Sequence, residues 1–126
     1  MLQKLFALLL FASLQAMAAT PAELLAGYVA QAGQSASAAK GEVFFKASHG
    51  QEWQCTSCHG KSPMTGGRHA STDKAIEPLA PAANAKRFTD SAKVEKWFRR
   101  NCKDVLAREC SAAEKADVLA WLISVR

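Results

Sequence analysis

The spacing of apolar residues along the chain predicts helices and no convincing strand. In the last third, Val94, Trp97, Phe98 and Val105 fall at offsets of 0, 3, 4 and 11, so they share one face of a helix. A final helix follows, with a predicted buried stripe made of Val118, Leu119, Trp121, Leu122 and Val125. This pattern favours an all-α fold.

Capping residues mark where the helices begin. Thr20 to Glu23 combine an N-cap, a proline at the first helical position and a capping-box glutamate, which predicts a helix to about Ala32. A second helix is predicted from about Ser37 to Ser48. Ser111 to Glu114 form another capping box and open the last helix.

The segment 60–89 reads instead as a long loop. It contains Pro63, Pro78, Pro81 and the pair Gly66-Gly67, with few periodic apolar residues. A loop of this length is unusual in a compact domain. A large bound group that the loop surrounds would resolve the difficulty.

The N-terminus has the pattern of an export signal. Lys4 precedes the apolar run Leu5 to Leu14, and Ala16 to Ala18 supply a small-x-small cleavage site. The run is too short for a typical membrane-spanning helix, although an uncleaved anchor is the alternative. We therefore predict a signal peptide over 1–18 and one periplasmic domain over 19–126, of which 19–40 form an N-terminal helical extension.

The charge balance is modestly positive, with 16 Lys and Arg against 11 Asp and Glu and a net charge of +5. The sequence has no basic run and its aromatic residues occupy helical positions that look buried, so nucleic-acid binding is not predicted. The excess could steer the protein toward an acidic partner or membrane leaflet, or reflect only a solvated surface.

Candidate chemistry centres on Cys55 to His59, which read Cys-x-x-Cys-His. Two thiols at this spacing can each form a thioether with a haem vinyl group, and the adjacent histidine can ligate the iron. A zinc site would need a second ligand pair at similar spacing, but Cys102 and Cys110 lie eight apart. A thioredoxin-like pair would need a strand-to-helix setting. The motif therefore predicts one covalent haem c.

The sixth iron ligand is not evident from the motif. Simple electron carriers use a downstream methionine or histidine. Met64 follows His59 by only five residues, His49 precedes the motif, and His69 lies in the long loop. An electron-transfer cytochrome with His69 or Met64 as the sixth ligand is therefore one of the two functions that the sequence leaves open.

Asn101 is the other candidate, because it lies on the predicted apolar face of its helix. A buried carboxamide without a partner is costly. One interpretation is that it bonds a nearby backbone group or caps the helix end. The other is that it faces the open side of the haem, as a weak ligand or as a donor to bound gas.

Cys102 and Cys110 remain after haem attachment. In an oxidising compartment such a leftover pair predicts a disulfide, here between the Asn101 helix and the last helix. The structural role of fixing Asn101 is favoured over a redox-active one.

Longer stretches resemble known proteins. Gly41 and Phe45 ahead of the Cys-x-x-Cys-His motif, and Asp117 to Leu122, resemble class I cytochromes c, in which the first and last helices cross near the glycine. Segments 76–81, 87–90 and 96–102 are similar to the sphaeroides haem protein family of oxygen-binding cytochromes c.

This resemblance implies a small all-α, class I cytochrome c-like fold wrapped around one haem. It implies His59 as proximal ligand, and Asn101 as a distal ligand that leaves on reduction and admits oxygen or nitric oxide. It implies the Cys102–Cys110 disulfide, and electron partners such as a dihaem cytochrome c and a membrane cytochrome b. Pro78 or Pro81 is expected to offer a carbonyl to the His59 imidazole. Reductase or dioxygenase activity toward the gas is a further possibility of this class.

Overall fold

The computed structural model describes residues 18–126, so all but the last residue of the predicted signal peptide lies outside the described residues. Within this range the chain forms the helices and strands α1 (Pro21–Ala32), α2 (Ala38–Lys46), α3 (Cys55–His59), β1 (Gly67–Arg68), β2 (Ala75–Ile76), α4 (Ser91–Leu106) and α5 (Ala112–Ser124). The all-α prediction is confirmed. None of the described helices is both long and apolar enough to cross a bilayer.

The helix starts follow the capping residues. Thr20 accepts a hydrogen bond from the Glu23 amide and Glu23 reaches back to the Thr20 amide, and Ser111 and Glu114 repeat this arrangement at α5. The prediction for α2 was slightly too long, because the helix ends at Lys46 and the backbone is already extended at Ala47.

Helix α5 forms the centre of the core, and α1 and α2 pack against it. Gly41 of α2 lies directly on the backbone of Asp117 and Val118, where a β-carbon would overlap the Asp117 carbonyl oxygen. Close approach of two helix backbones requires a residue without a side chain at such a point. The predicted crossing near the glycine is therefore confirmed for the last helix, α5, and its partner at Gly41 is α2, the second helix of the chain and not the first.

Two local elements were not predicted. The segment 60–89 contains an antiparallel hairpin in which Gly67 pairs with Ile76 and Arg68 with Ala75, so the expectation of no strand was wrong. Strands of two residues are too short to show an alternating pattern. The haem motif itself forms the short helix α3, which is likewise too short for helical periodicity to reveal.

Candidate haem-binding site

Helix α3 presents the two cysteines of the motif. Cys55 and Cys58 lie three positions apart, so they lie on the same side of one helical turn, and neither takes part in a disulfide. Gln54 holds the start of this turn, because its amide donates to Ser57 Oγ at 3.0 Å and its side chain donates to Thr56 Oγ1 at 2.8 Å. The turn is thus fixed by its own polar residues, which leaves both sulfur atoms available.

Burial sets the protonation state of the first cysteine. It raises the pKa of the Cys55 thiol to about 11, so the sulfur is uncharged at neutral pH. Redox-active Cys-x-x-Cys pairs instead require a lowered pKa, because the thiolate is the reactive form. The environment of Cys55 therefore disfavours a thioredoxin-like role and suits an apolar thioether position.

His59 places a polar ring nitrogen in a buried position. Its Nδ1 atom is buried and has no hydrogen-bond partner among residues 18–126. Burial, assisted by the positive charge of Arg87, lowers the pKa of the imidazole to about 4. The ring is therefore neutral at physiological pH, which is the form that ligates a metal.

The expected carbonyl partner of this imidazole is not present. The Pro78 carbonyl accepts from Arg87 Nε at 2.8 Å, and the Glu77 carbonyl accepts from Arg87 Nη2 at 2.6 Å. The expectation for Pro78 and Pro81 was therefore wrong, because Nδ1 of His59 has no hydrogen-bond partner among the described residues.

The β1–β2 hairpin packs directly against the backbone of the Cys-x-x-Cys-His motif. A β-carbon on Gly67 would overlap the Cys58 carbonyl oxygen and lie 2.9 Å from His59 Cα. Next to it, the Ala70 amide donates to Cys58 Sγ at 3.3 Å. This contact holds the His59 backbone in place, and it was missed from the sequence because Gly67 reads as one of several loop glycines.

Helix α4 provides the other candidate side. Val94 and Phe98 pack against the core, and Asn101 is half-buried on the next turn. The Asn101 carboxamide makes no hydrogen bond within the described part of the chain. The interpretation that a backbone group satisfies Asn101 therefore gains no support, and a weakly held polar group remains on the apolar face of α4.

The residue after Asn101 is cross-linked. Cys102 and Cys110 form a disulfide with a Cα–Cα distance of 5.6 Å, and both are buried, which confirms the predicted pairing. The intervening turn is braced by Arg108, whose guanidinium donates to both carboxylate oxygens of Glu114 at 2.9 and 2.7 Å. The C-terminal end of α4 is thereby tied to the start of α5.

A second link lies one turn before Phe98 and was not found from the sequence. Glu95 accepts from the Tyr28 hydroxyl of α1 and from Lys115 Nζ of α5, the latter at 3.1 Å. Burial alone would raise the pKa of Glu95, but these bonds and the charges of Lys115 and Arg99 outweigh it, so the pKa is lowered. Its partners are 67 and 20 residues away, so no local pattern could indicate them.

The alternative ligands have other contacts. His49 Nε2 is hydrogen-bonded to the Phe44 carbonyl at 2.8 Å. His69 Nδ1 accepts from the amides of Ser71 and Thr72 at 3.2 and 3.3 Å, which closes the hairpin tip. Both rings are thus used to shape loops. Met64 is half-buried in the same loop region.

These observations fit a covalently held haem. The site offers two cysteines one turn apart that take no part in a disulfide, an imidazole whose buried Nδ1 is unpartnered, and an apolar helix face that carries the Asn101 carboxamide. Sulfur, imidazole and carboxamide groups in an apolar setting form a donor set that suits haem c.

Comparison with known proteins gives the same answer. The family model described as "Domain of unknown function (DUF1924)" matches residues 31–122. The chain is 48% identical over 107 residues to the cytochrome c-type protein SHP of Cereibacter sphaeroides, covering 82% of each. It is 44% identical over 88 residues to cytochrome c'' of Methylophilus methylotrophus, covering 67% of this chain and 61% of that protein.

Solved structures agree with the sequence relatives. The structure of oxidised SHP, described as an oxygen-binding cytochrome c, matches 86% of this chain and 99% of its own, with a TM-score of 0.81 and 46% identity. Oxidised cytochrome c'' of Methylophilus methylotrophus matches 84% of this chain and 94% of its own, with a TM-score of 0.72 and 37% identity. Its solution structure, described as giving insights into haem-ligand detachment, matches 83% and 93%, with a TM-score of 0.72 and 35% identity. These relatives establish that the chain carries haem c.

Proposed function

Because the chain belongs to the family of the cytochrome c-type protein SHP, we propose that it is an exported, periplasmic cytochrome that binds oxygen or nitric oxide at a single haem. It is reduced by a partner protein, for which a dihaem cytochrome c or a membrane cytochrome b is the candidate class. When bound, the haem supplies an iron that changes by one electron and can take a diatomic gas.

Three residues of α3 hold the group in this proposal. Cys55 and Cys58 form the thioethers, and His59 is the proximal ligand. The burial of His59 and its lowered pKa support this role, because they keep the imidazole neutral. The contact of Gly67 with the α3 backbone supports a fixed ring position.

Asn101 is the distal ligand in this proposal, and its half-buried, unbonded carboxamide is the observation that carries it. A neutral amide oxygen is a weak ligand, so Asn101 occupies the sixth position of the oxidised state and leaves on reduction. Once free, the same carboxamide can donate a hydrogen bond to the incoming gas. Ligand detachment in the similar cytochrome c'' supports such a mechanism by analogy.

Absorption spectra of the holoprotein test this function directly. We expect a high-spin spectrum on reduction that shifts promptly when oxygen or nitric oxide is admitted. A sharp low-spin reduced spectrum that ignores both gases would instead identify an electron carrier, and His69→Ala and Met64→Ala would then show which residue ligates the iron.

The role of Asn101 is tested by Asn101→Ala against Asn84→Ala. Asn84 is a matched control, because it is also half-buried and its Oδ1 only accepts from the Lys86 amide at 3.2 Å. We expect Asn101→Ala alone to change the oxidised spectrum. It should also weaken oxygen binding about tenfold, since loss of one hydrogen bond costs about 1.4 kcal/mol. Unchanged spectra in both variants would remove Asn101 from the site.

A further inference from the structure

Helix α4 carries an uneven share of the positive charge. Five of the 16 Lys and Arg residues of the chain lie in its 16 residues, and all five are exposed. At 100° per residue they fall together on the side opposite the apolar stripe. We call this the basic face, and it consists of Lys93, Lys96, Arg99, Arg100 and Lys103.

The basic face is poorly compensated by the protein itself. Lys96 and Arg100 are four residues apart, as are Arg99 and Lys103, and like charges at this spacing repel. Among the described residues only Arg99 of this face forms an ion pair, with Glu109 at 3.5 Å.

The acidic residues of α4 do little to offset this charge. Glu95 lies at the edge of the basic face, where it pairs with Lys115 at 3.1 Å and offsets the charge of Arg99 alone among the five basic residues. Asp104 is exposed near the end of α4 and forms no ion pair within residues 18–126. The basic face therefore keeps most of its positive charge, and the resulting positive potential attracts an external anionic group.

The basic face borders the candidate gas-binding side. Trp97 lies between it and Asn101 on the helix surface and is 43% exposed. The Arg100 guanidinium lies 5.1 Å and the Lys96 ammonium 5.8 Å from the centre of the Trp97 ring. These cation–π contacts join the charged face to the residue next to the distal position.

We propose that the basic face of α4 is the docking surface for an acidic protein electron donor. The proposal rests on the proposed function, since it places the donor beside the helix that carries Asn101. Positive charge clustered next to a redox site steers an acidic protein to it and orients the encounter.

A protein fits this surface better than an anionic bilayer. Amphipathic helices that bind membranes insert a free apolar face. The apolar face of α4 is not free, because Val94 and Phe98 pack into the core and Cys102 and Val105 are buried. Apart from the exposed Trp97, charge is what remains on this side of α4 for the partner to recognise, which suits a folded acidic surface.

The test compares two charge-reversal variants of the full-length holoprotein. One is Lys96→Glu/Arg100→Glu on the basic face. The matched control is Lys40→Glu/Lys74→Glu, two exposed lysines on α2 and the hairpin whose reversal changes the net charge equally. The measurement is the stopped-flow rate of haem reduction by a reduced flavodoxin, used as an acidic one-electron donor, at low and high ionic strength.

At low salt we expect the α4 variant to be reduced at least tenfold more slowly than the parent, and the control no more than twofold to threefold more slowly. The difference should vanish at high salt. Equal slowing of both variants, or no slowing of either, would overturn the proposal. The proposal would also be overturned if the α4 variant alone lost binding to phosphatidylserine vesicles while its haem was reduced at the parent's rate. That result would identify the basic face as a membrane-binding surface.

Two controls separate docking from folding and from gas binding. Lys96→Gln/Arg100→Gln should give an intermediate rate, and failure of only the Glu variant to fold would leave this variant to decide. Gas binding by the chemically reduced proteins should be identical in all variants. Absence of gas binding in the parent would contradict the proposed function, but the reduction rates would still show whether the donor docks on the basic face.

Discussion

The two candidate sides of the haem site are held in opposite ways. On the His59 side, the backbone is held in place, since Gly67 lies against the Cys58 carbonyl and the Nδ1 atom of the ring is buried. On the Asn101 side, the helix is anchored at both flanks, by the Glu95 contacts and the Cys102–Cys110 disulfide. Asn101 itself is half-buried and unbonded.

This difference matches what each side has to do in the proposed function. A permanent ligand benefits from a backbone that cannot shift. A ligand that leaves on reduction benefits from a helix that stays in place and a side chain that is free to rotate, because every bond to it would oppose departure. The backbone of α4 is thus held on both sides of Asn101, while the Asn101 side chain itself has no hydrogen bond to restrain it.

The largest expected loss of stability comes from a substitution on the His59 side. Gly67→Ala should destabilise the protein by about 3 kcal/mol, because the new methyl group meets backbone atoms of α3 that cannot give way as a side chain would. We expect haem incorporation to fall as well. Denaturant unfolding and the yield of holoprotein measure both.

Gly27→Ala is the matched control for this substitution. Gly27 lies within α1 and a β-carbon there would meet nothing within 4 Å, so the change should be neutral or stabilising by up to about 1 kcal/mol. If Gly67→Ala were as stable as Gly27→Ala, the hairpin would not clamp the motif.

The next largest effect comes from removing the disulfide on the Asn101 side. Cys102→Ala/Cys110→Ala should lower the free energy of unfolding by about 2.5 kcal/mol, the chain-entropy value for a separation of eight residues. A reductant should destabilise the parent and leave the double variant unchanged. If the disulfide positions Asn101, the variant should also release oxygen faster, and an unchanged release rate would restrict the bond to stability.

Much of the fold could be predicted because its signals are local. The capping boxes at Thr20 and Ser111 act within three residues, and the stripe of α5 repeats along one helix. The role of Gly41 was predicted from resemblance to class I cytochromes c. The disulfide followed from counting, since two cysteines were left over in a chain with a predicted export signal.

The parts that were missed depend on distant contacts. Glu95 reads as an ordinary surface acid until α1 and α5 bring Tyr28 and Lys115 to it. The carbonyl partner expected for His59 was not found, because Nδ1 has no hydrogen-bond partner among residues 18–126, and the Pro78 carbonyl accepts instead from Arg87, nine residues later in the same loop. The roles of Cys55, Cys58, His59 and Asn101 as ligands remain predictions that the spectra must test.

A smaller effect tests the first flank of α4. Tyr28→Phe removes the hydrogen bond to the Glu95 carboxylate and leaves the ring packing against Phe98 at 5.8 Å between centroids. The loss should be about 1.5 kcal/mol, as for bonds to charged acceptors. Urea unfolding measures it. Lys115 still holds Glu95 in this variant, so a loss near zero would mean that the ion pair alone fixes the flank.

The smallest effect is the pH dependence of the same flank. The folded-state pKa of Glu95 lies below its ordinary value, so the carboxylate stabilises the fold fully above about pH 4.3. That contribution is lost as the pH falls through the lower, folded-state pKa. Because the Glu95 side chain is 40% exposed, the change in the free energy of unfolding should be only about 0.5 kcal/mol.

The measurement is the free energy of unfolding between pH 6 and 3. Glu95→Gln should lose this part of the pH dependence, and Glu52→Gln, at an exposed loop position, should keep it. The same slope in both variants would assign the acid sensitivity to other carboxylates and leave the disulfide as the chief anchor of the Asn101 side.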